Sequence, residues 1–225
     1  MIRSWWGVSV LTSAHDAEVT AFAVQIAYAT SKVDGRVLWL SLSGEVERPV
    51  FYLLTALSGV PYRSLFIERT LGSAEWSALA SAREDIESLP VMVADCHGMS
   101  ASGVRLVCAE AACGMPLDLV IVDGVRPGDV RALESLEVLS EELGVPVLVL
   151  APSDADATLG DSEGWTASLR QGSFVFQVKT EGTTGDRSSP HVVSGFVAVN
   201  RVGLAHLASV PIAFDRSCRR FSGLG

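Results

Sequence analysis

Leu117-Asp118-Leu119-Val120-Ile121-Val122-Asp123-Gly124 is a short apolar run, rich in β-branched residues, closed by a carboxylate and a glycine. That length and composition predict a strand buried on both faces, as in a parallel sheet covered by helices. In open α/β sheets the ligand crevice lies outside the carboxyl ends of the strands. Asp123 therefore stands where a nucleotide-bound Mg²⁺ would take an oxygen ligand, or where a carboxylate would cap the strand and hold the following loop.

Outward from this run, strand and helix alternate. Gly7 to Leu11 predicts a first strand and Thr12 to Asp16 a polar turn. Ala17 to Lys32 predicts a helix, with Val19, Ala23, Ile26 and Ala27 at helical spacing and Asp16 as its N-cap. Further strands are predicted over Gly35 to Leu42, Val91 to Ala94 and Val147 to Ala151. Further helices are predicted over Glu45 to Leu57, through Leu65, from Ser73, over Ser100 to Cys113 and over Asp129 to Leu143. The alternation predicts a doubly wound, mostly parallel sheet with helices on both faces. After Pro152 the character changes. Asp154 to Gly164 is polar, and Phe174 to Lys179, Val192 to Asn200 and Val210 to Phe214 predict antiparallel hairpins on one edge of the sheet. Glu181 to Ser189 is a loop by composition. No repeat or linker divides the chain, so residues 1–225 read as one domain.

At 48% hydrophobic and 19% charged residues the chain is globular and not disordered. No apolar run reaches the roughly 18 residues of a membrane span, and the N-terminus lacks the layout of a signal peptide. Cys96, Cys108, Cys113 and Cys218 show no framework spacing, which predicts reduced thiols and a cytoplasmic location. Seventeen basic against 26 acidic residues give a net charge of −9. That balance excludes a protein-wide nucleic-acid surface and leaves room only for a local one. Asp95-Cys96-His97 reads as a strand end with a polar turn, because no second Cys/His pair completes a tetrahedral metal set. Cys108 and Cys113 are expected to pack, and Trp5 and Trp6 to cover the open edge of the sheet.

The order of segments resembles the C-terminal, RecA-like motor domain of DnaB-type replicative helicases, which are P-loop NTPases. Ser41-Leu42-Ser43-Gly44-Glu45 with Leu53-Leu54 is similar to that family's S-L-E-M-S segment and its helix. Leu71 to Trp76 is similar to the L-S-x-x-x-W element, and Pro90 to Ser100 to the P-L-x-I-D-D-x-x-G-L-T run. Asp118 to Asp123 resembles the Walker B strand, and Glu142 to Leu150 the strand after it. Asn200-Arg201, Ala213-Phe214-Asp215 and Arg220-Phe221 resemble the late K-N-R and A-F-D…R-F elements. The resemblance covers Gly7 to Phe221 and implies a RecA-like α/β fold.

The departures lie at the chemistry. The family's phosphate loop is G-x-x-x-x-G-K-[ST], in which backbone amides and a lysine hold phosphates and the hydroxyl binds Mg²⁺. By the resemblance, Glu18, Val19 and Thr20 stand in place of G-K-T, and Glu18 is expected to satisfy amides that phosphate would otherwise use. The water-orienting glutamate is replaced by Ser43, and the γ-phosphate-sensing glutamine by Pro152. Arg201 keeps the place of a trans-acting arginine finger, while Arg126 and Arg170 fall in the DNA-facing loops. The family's N-terminal domain and linker helix are expected to be absent. Phosphoryl transfer rests on positioning and charge stabilisation, so losing lysine, glutamate and sensor together implies an inactive relative of an ATP-dependent DNA helicase. It would act in replication or recombination assemblies through protein or DNA contacts, by self-association or by joining a helicase-like ring. Two alternatives stand beside this reading. One is a nucleotide-dependent helicase or ATPase that uses ATP and Mg²⁺, with Asp123 as metal ligand and Lys32 or Lys179 replacing the lost lysine. The other is a ring or filament subunit independent of nucleotide.

Overall fold

A computed structural model describes residues 7–13, 15–126, 129–151, 175–180, 191–198 and 208–223. In chain order the elements are β1 (Val8–Ser13), α1 (Asp16–Ser31), β2 (Val37–Ser41), α2 (Arg48–Ser58), a π-helical turn (Ser64–Glu68), α3 (Ser73–Glu87), β3 (Val91–Asp95), α4 (Ala101–Ala111), β4 (Leu119–Asp123), α5 (Val130–Leu143), β5 (Val147–Leu150), β6 (Val175–Thr180), β7 (His191–Ala198), β8 (Ala208–Asp215) and β9 (Arg220–Gly223). They build one sheet in the order β3-β2-β4-β5-β1-β6-β7-β8-β9. The first six strands run parallel, and β7, β8 and β9 extend the sheet antiparallel.

Side chains alternate across each strand, so each parallel strand feeds two cores. Val8, Val10, Leu38, Leu40, Val120 and Val122 pack under α4 and α5. Leu11, Trp39, Leu119, Ile121, Leu148 and Leu150 pack under α1 and α2. All five residues of β4 are buried, as its continuous apolar run predicts. Helix ends follow local chemistry. Asp129 caps α5 by accepting from the Ala132 amide at 3.0 Å, and Ser100 caps α4 by accepting from Gly103 at 3.3 Å. Gly59 closes α2 in the left-handed region at φ 70°.

Several expectations are corrected. β1 continues through Thr12 and Ser13, where a turn is expected, because β6 supplies ladder partners there (Thr12 opposite Gln177, Ser13 opposite Val178). β6 itself is parallel to β1 and antiparallel only to β7, and residues 151–174 are long enough for the crossover a parallel pair needs. His15, not Asp16, is the N-cap of α1. α2 begins at Arg48 rather than Glu45, with a proline in its first turn, where the missing N–H costs nothing. β9 is a strand the residue pattern does not announce. Cys113 is exposed, whereas Cys96, Cys108 and Cys218 are buried, and all four thiols are free. Trp5, Trp6, Asp154 to Gly164 and Glu181 to Ser189 lie outside the described residues. Among the described residues no helix is long and apolar enough to cross a membrane.

The antiparallel extension returns onto α1. The Gln25 side chain donates to the Phe221 carbonyl at 3.0 Å and accepts from the Phe221 amide at 2.6 Å, in the manner of a neighbouring strand. Phe221 stacks on Phe214 and meets Phe22 edge-on. The β8–β9 turn is tied internally by Asp215, whose carboxylate accepts from the Ser217 amide (2.8 Å) and hydroxyl (2.6 Å). It is also tied to the region following α2, because the Tyr62 amide donates to the Ser217 carbonyl and the Cys218 thiol to the Gly59 carbonyl. The turn thereby sits over the N-terminus of α1.

Candidate functional site at the carboxyl ends of β1, β2 and β4

The junction of β1 and α1 decides the character of the site. β1 ends at Ser13 and α1 starts at Asp16, so two residues join them. No glycine lies between Gly7 and Gly35. A phosphate cradle needs consecutive backbone amides free to converge on an anion. Here the amides of Glu18 and Val19 both donate to the His15 carbonyl, at 2.9 and 3.4 Å. The stretch that the resemblance sets against the phosphate loop is already helix.

Its side chains turn inward. The Glu18 carboxylate is buried, accepts from the Ser13 hydroxyl at 2.7 Å and lies 3.7 Å from the Arg216 guanidinium, which the β8–β9 turn delivers. Val19 has no exposed surface and belongs to the core with Leu11, Trp39 and Tyr52. Thr20 is equally buried, and its hydroxyl has no hydrogen-bond partner among the described residues.

On β2 and β4 the structure brings Ser43 and Asp123 together. Ser43 Oγ donates to Asp123 Oδ2 at 3.4 Å, and the Leu42 amide donates to the Asp123 carbonyl at 2.8 Å. Gly124 makes this junction possible. Its φ is +92°, and a Cβ there would stand 2.7 Å from the Ser43 amide nitrogen. Asp123 is 3% exposed. Burial raises its pKa, against the pull of the nearby Arg48 guanidinium and the hydrogen bonds from Ser43 and the Gly124 amide. Its carboxylate, with the neighbouring Ser41 and Ser43 hydroxyls, is the oxygen-donor group here that suits a hard divalent cation.

Arg48 has a larger part than its sequence position suggests. It pairs with Asp16 at the start of α1 and with Glu45 ahead of α2, bridging the two elements that flank the cleft. The readable signal is the Glu45-x-x-Arg48 spacing, which brings opposite charges together across one turn. A cavity of about 670 Å³ opens beside this bridge, lined by Asp16, Gly44, Glu47, Arg48, Phe51 and Tyr62. Arg219, at φ 54°, lays its guanidinium against Tyr52 and Tyr62, 5.5 and 5.2 Å from the ring centroids. The cations near the cleft are thus engaged by the protein's own carboxylates and rings.

Arg126 is exposed just beyond β4. Pro152, Arg170 and Arg201 lie outside the described residues. Asp95-Cys96-His97 forms a turn in which the Asp95 carboxylate accepts from the His97 amide at 2.9 Å and the His97 ring meets the Leu42 carbonyl at 3.1 Å.

No protein-family model matches the sequence, and no curated protein matches it. Solved structures do. A helicase-type ATPase domain solved on its own is similar over 97% of this chain and 85% of that chain, with a TM-score of 0.79 and 17% identity. A DnaB-like replicative helicase, determined with its interactions with primase, is similar over 98% of this chain and 60% of that chain, with a TM-score of 0.80 and 17% identity. At this identity the likeness carries the fold. The chain has the RecA-like α/β architecture of DnaB-like helicase ATPase domains.

Proposed function

We propose that the chain is a non-catalytic counterpart of DnaB-like helicase ATPase domains, a single RecA-like domain over residues 1–225. It works in DNA replication or recombination assemblies by contact with proteins, itself included, rather than by turning over nucleotide. One observation carries this reading: helix and a buried, hydrogen-bonded Glu18 occupy the positions of the phosphate loop. A triphosphate would meet a carboxylate and a helical turn instead of a ring of free amides. The replacements at Val19, Ser43 and Pro152 act in the same direction. Exposed Arg126, with Arg170, offers a thin basic surface for DNA, and Arg201 is the residue available to a neighbour's site in a mixed ring.

Calorimetric titration of the full chain with ATP–Mg²⁺ tests the proposal. Expected is no binding tighter than about 1 mM and no phosphate release. Turnover that disappears in Asp123→Ala would overturn it.

A nucleotide-dependent reading draws on one feature, the Arg48 guanidinium beside the cavity, a cation the family's motif does not include. Lys179 is a second candidate, one residue beyond the register partner of Ser13. Binding that is lost in Arg48→Ala or Lys179→Ala would favour this alternative.

A further inference from the structure

β3 is the terminal strand on the parallel side of the sheet. The Val37 amide donates to the Pro90 carbonyl and the Cys96 amide to the Ser41 carbonyl, which fixes the phase of the ladder. Even-numbered residues of β3 bond to β2, and the backbone groups of Val91, Val93 and Asp95 point away from it. The Val91 amide turns back to the Leu89 carbonyl at 2.8 Å. The outward amide and carbonyl of Val93 have no backbone partner among the described residues. α3 packs on α2 and α4 lies over β2, so neither helix is centred on this edge.

Exposed edges in soluble proteins are blunted by lysine, proline, bulges or inward charges. Val91-Met92-Val93-Ala94 has none of these. All four residues are half-buried rather than covered. A small apolar crevice of about 80 Å³ runs along the same edge, lined by Val50, Ile86, Leu89, Val91 and Val93.

We propose that β3 pairs with β3 of a second copy, antiparallel about a two-fold axis through Val93, to join two nine-stranded sheets. The segment is self-complementary in this register. Val93 faces Val93, Met92 faces Ala94, and Val91 faces Asp95, so the two Asp95 carboxylates stand at opposite ends and do not repel. Val93 exchanges both backbone hydrogen bonds with its counterpart, and the Val91 carbonyl accepts from Asp95 of the second copy. The Val91 amide, already bonded to Leu89, needs no new partner. Val91 and Val93 lie on the crevice side of the sheet, so the pairing aligns four valines in one apolar row across the axis. This contact requires no nucleotide, and its failure would leave the calorimetric result above unaffected.

The test uses the full chain in a Cys113→Ser background. Directly paired residues in a hydrogen-bonded antiparallel site have Cα atoms about 5.5 Å apart, within disulfide reach. Val93→Cys is expected to give a disulfide-linked dimer in a thiol–disulfide buffer, and Ala94→Cys, which faces Met92, is not. Sedimentation should show a dimer fraction that rises with concentration and is lost in Val93→Pro, which removes an outward N–H and no bond to β2. Val93→Lys, expected to be monomeric with an unchanged far-ultraviolet spectrum, serves if the proline variant fails to fold. A monomer at all concentrations, a dimer indifferent to Val93→Lys, or no cross-link at Val93→Cys would overturn the proposal.

Discussion

The Ser13 hydroxyl donates to the Glu18 carboxylate across 2.7 Å, joining the last residue of β1 to the first turn of α1. Truncating Glu18 leaves that hydroxyl without its acceptor in a buried place, so Glu18→Ala should cost about 2 kcal/mol in urea unfolding. Arg216 is 40% exposed and solvent screens its attraction, so Arg216→Ala should cost less than about 1 kcal/mol. A double-mutant cycle on Ser13→Ala and Glu18→Ala should show coupling of about 1 kcal/mol.

Combining Glu18→Gly with Val19→Lys restores the letters of the family's motif but not its shape. Val19 is wholly within the core, and a lysine there must bury an ammonium or tear the helix from the sheet. The double variant should lose about 3 kcal/mol or more of stability and gain no calorimetric signal with ATP–Mg²⁺. Tight, Mg²⁺-dependent binding by this variant would show that the short β1–α1 junction is no obstacle.

The fold was legible because its signals are local and repeated. Apolar runs of strand length stand between helical periods, and Leu119 to Asp123 falls where its β-branched content places it. β6 shows the limit, since a strand's partner is set by tertiary pairing and its residues read alike beside β1 or in a hairpin. Within the site, the loss of the lysine and the clustering of Ser43 on Asp123 follow from the motif positions. The roles of Arg48, Arg216 and Arg219 do not. Each meets partners from a separate element: Arg48 meets Asp16, Arg216 meets Glu18, and Arg219 meets Tyr52 and Tyr62.

Asp123 gives stability a defined pH dependence. Its folded-state pKa is raised by burial, so ionisation costs more in the folded chain than in the unfolded one. Its contribution is therefore most favourable below the ordinary carboxyl range and falls as pH rises from there to the raised folded value. Asp123→Asn should remove this fall and be more stable than the parent at neutral pH. Asp215 acts with the opposite sign. Burial pulls its pKa up, but the hydrogen bonds from Ser217 and Cys218 outweigh that and hold it below the ordinary value. Its contribution is present at neutral pH and lost as pH falls through the lowered value, so Asp215→Asn should flatten the acid limb. Urea midpoints between about pH 3 and pH 8 separate the two.

Gln25 makes both hydrogen bonds to Phe221 that a tenth strand would make. Gln25→Leu should cost about 1–3 kcal/mol and speed hydrogen exchange at the Phe221 amide at least about tenfold, with little change at β4.

The same glutamine gives the sheet a direction. With Phe221 satisfied by a side chain, the β9 end offers no backbone bonds at that residue, while the β3 end offers those of Val93. A sheet sticky at one end only cannot propagate. Two copies that meet through β3 present two sealed ends outward, so association by strand pairing stops at a pair and does not run on into a fibre.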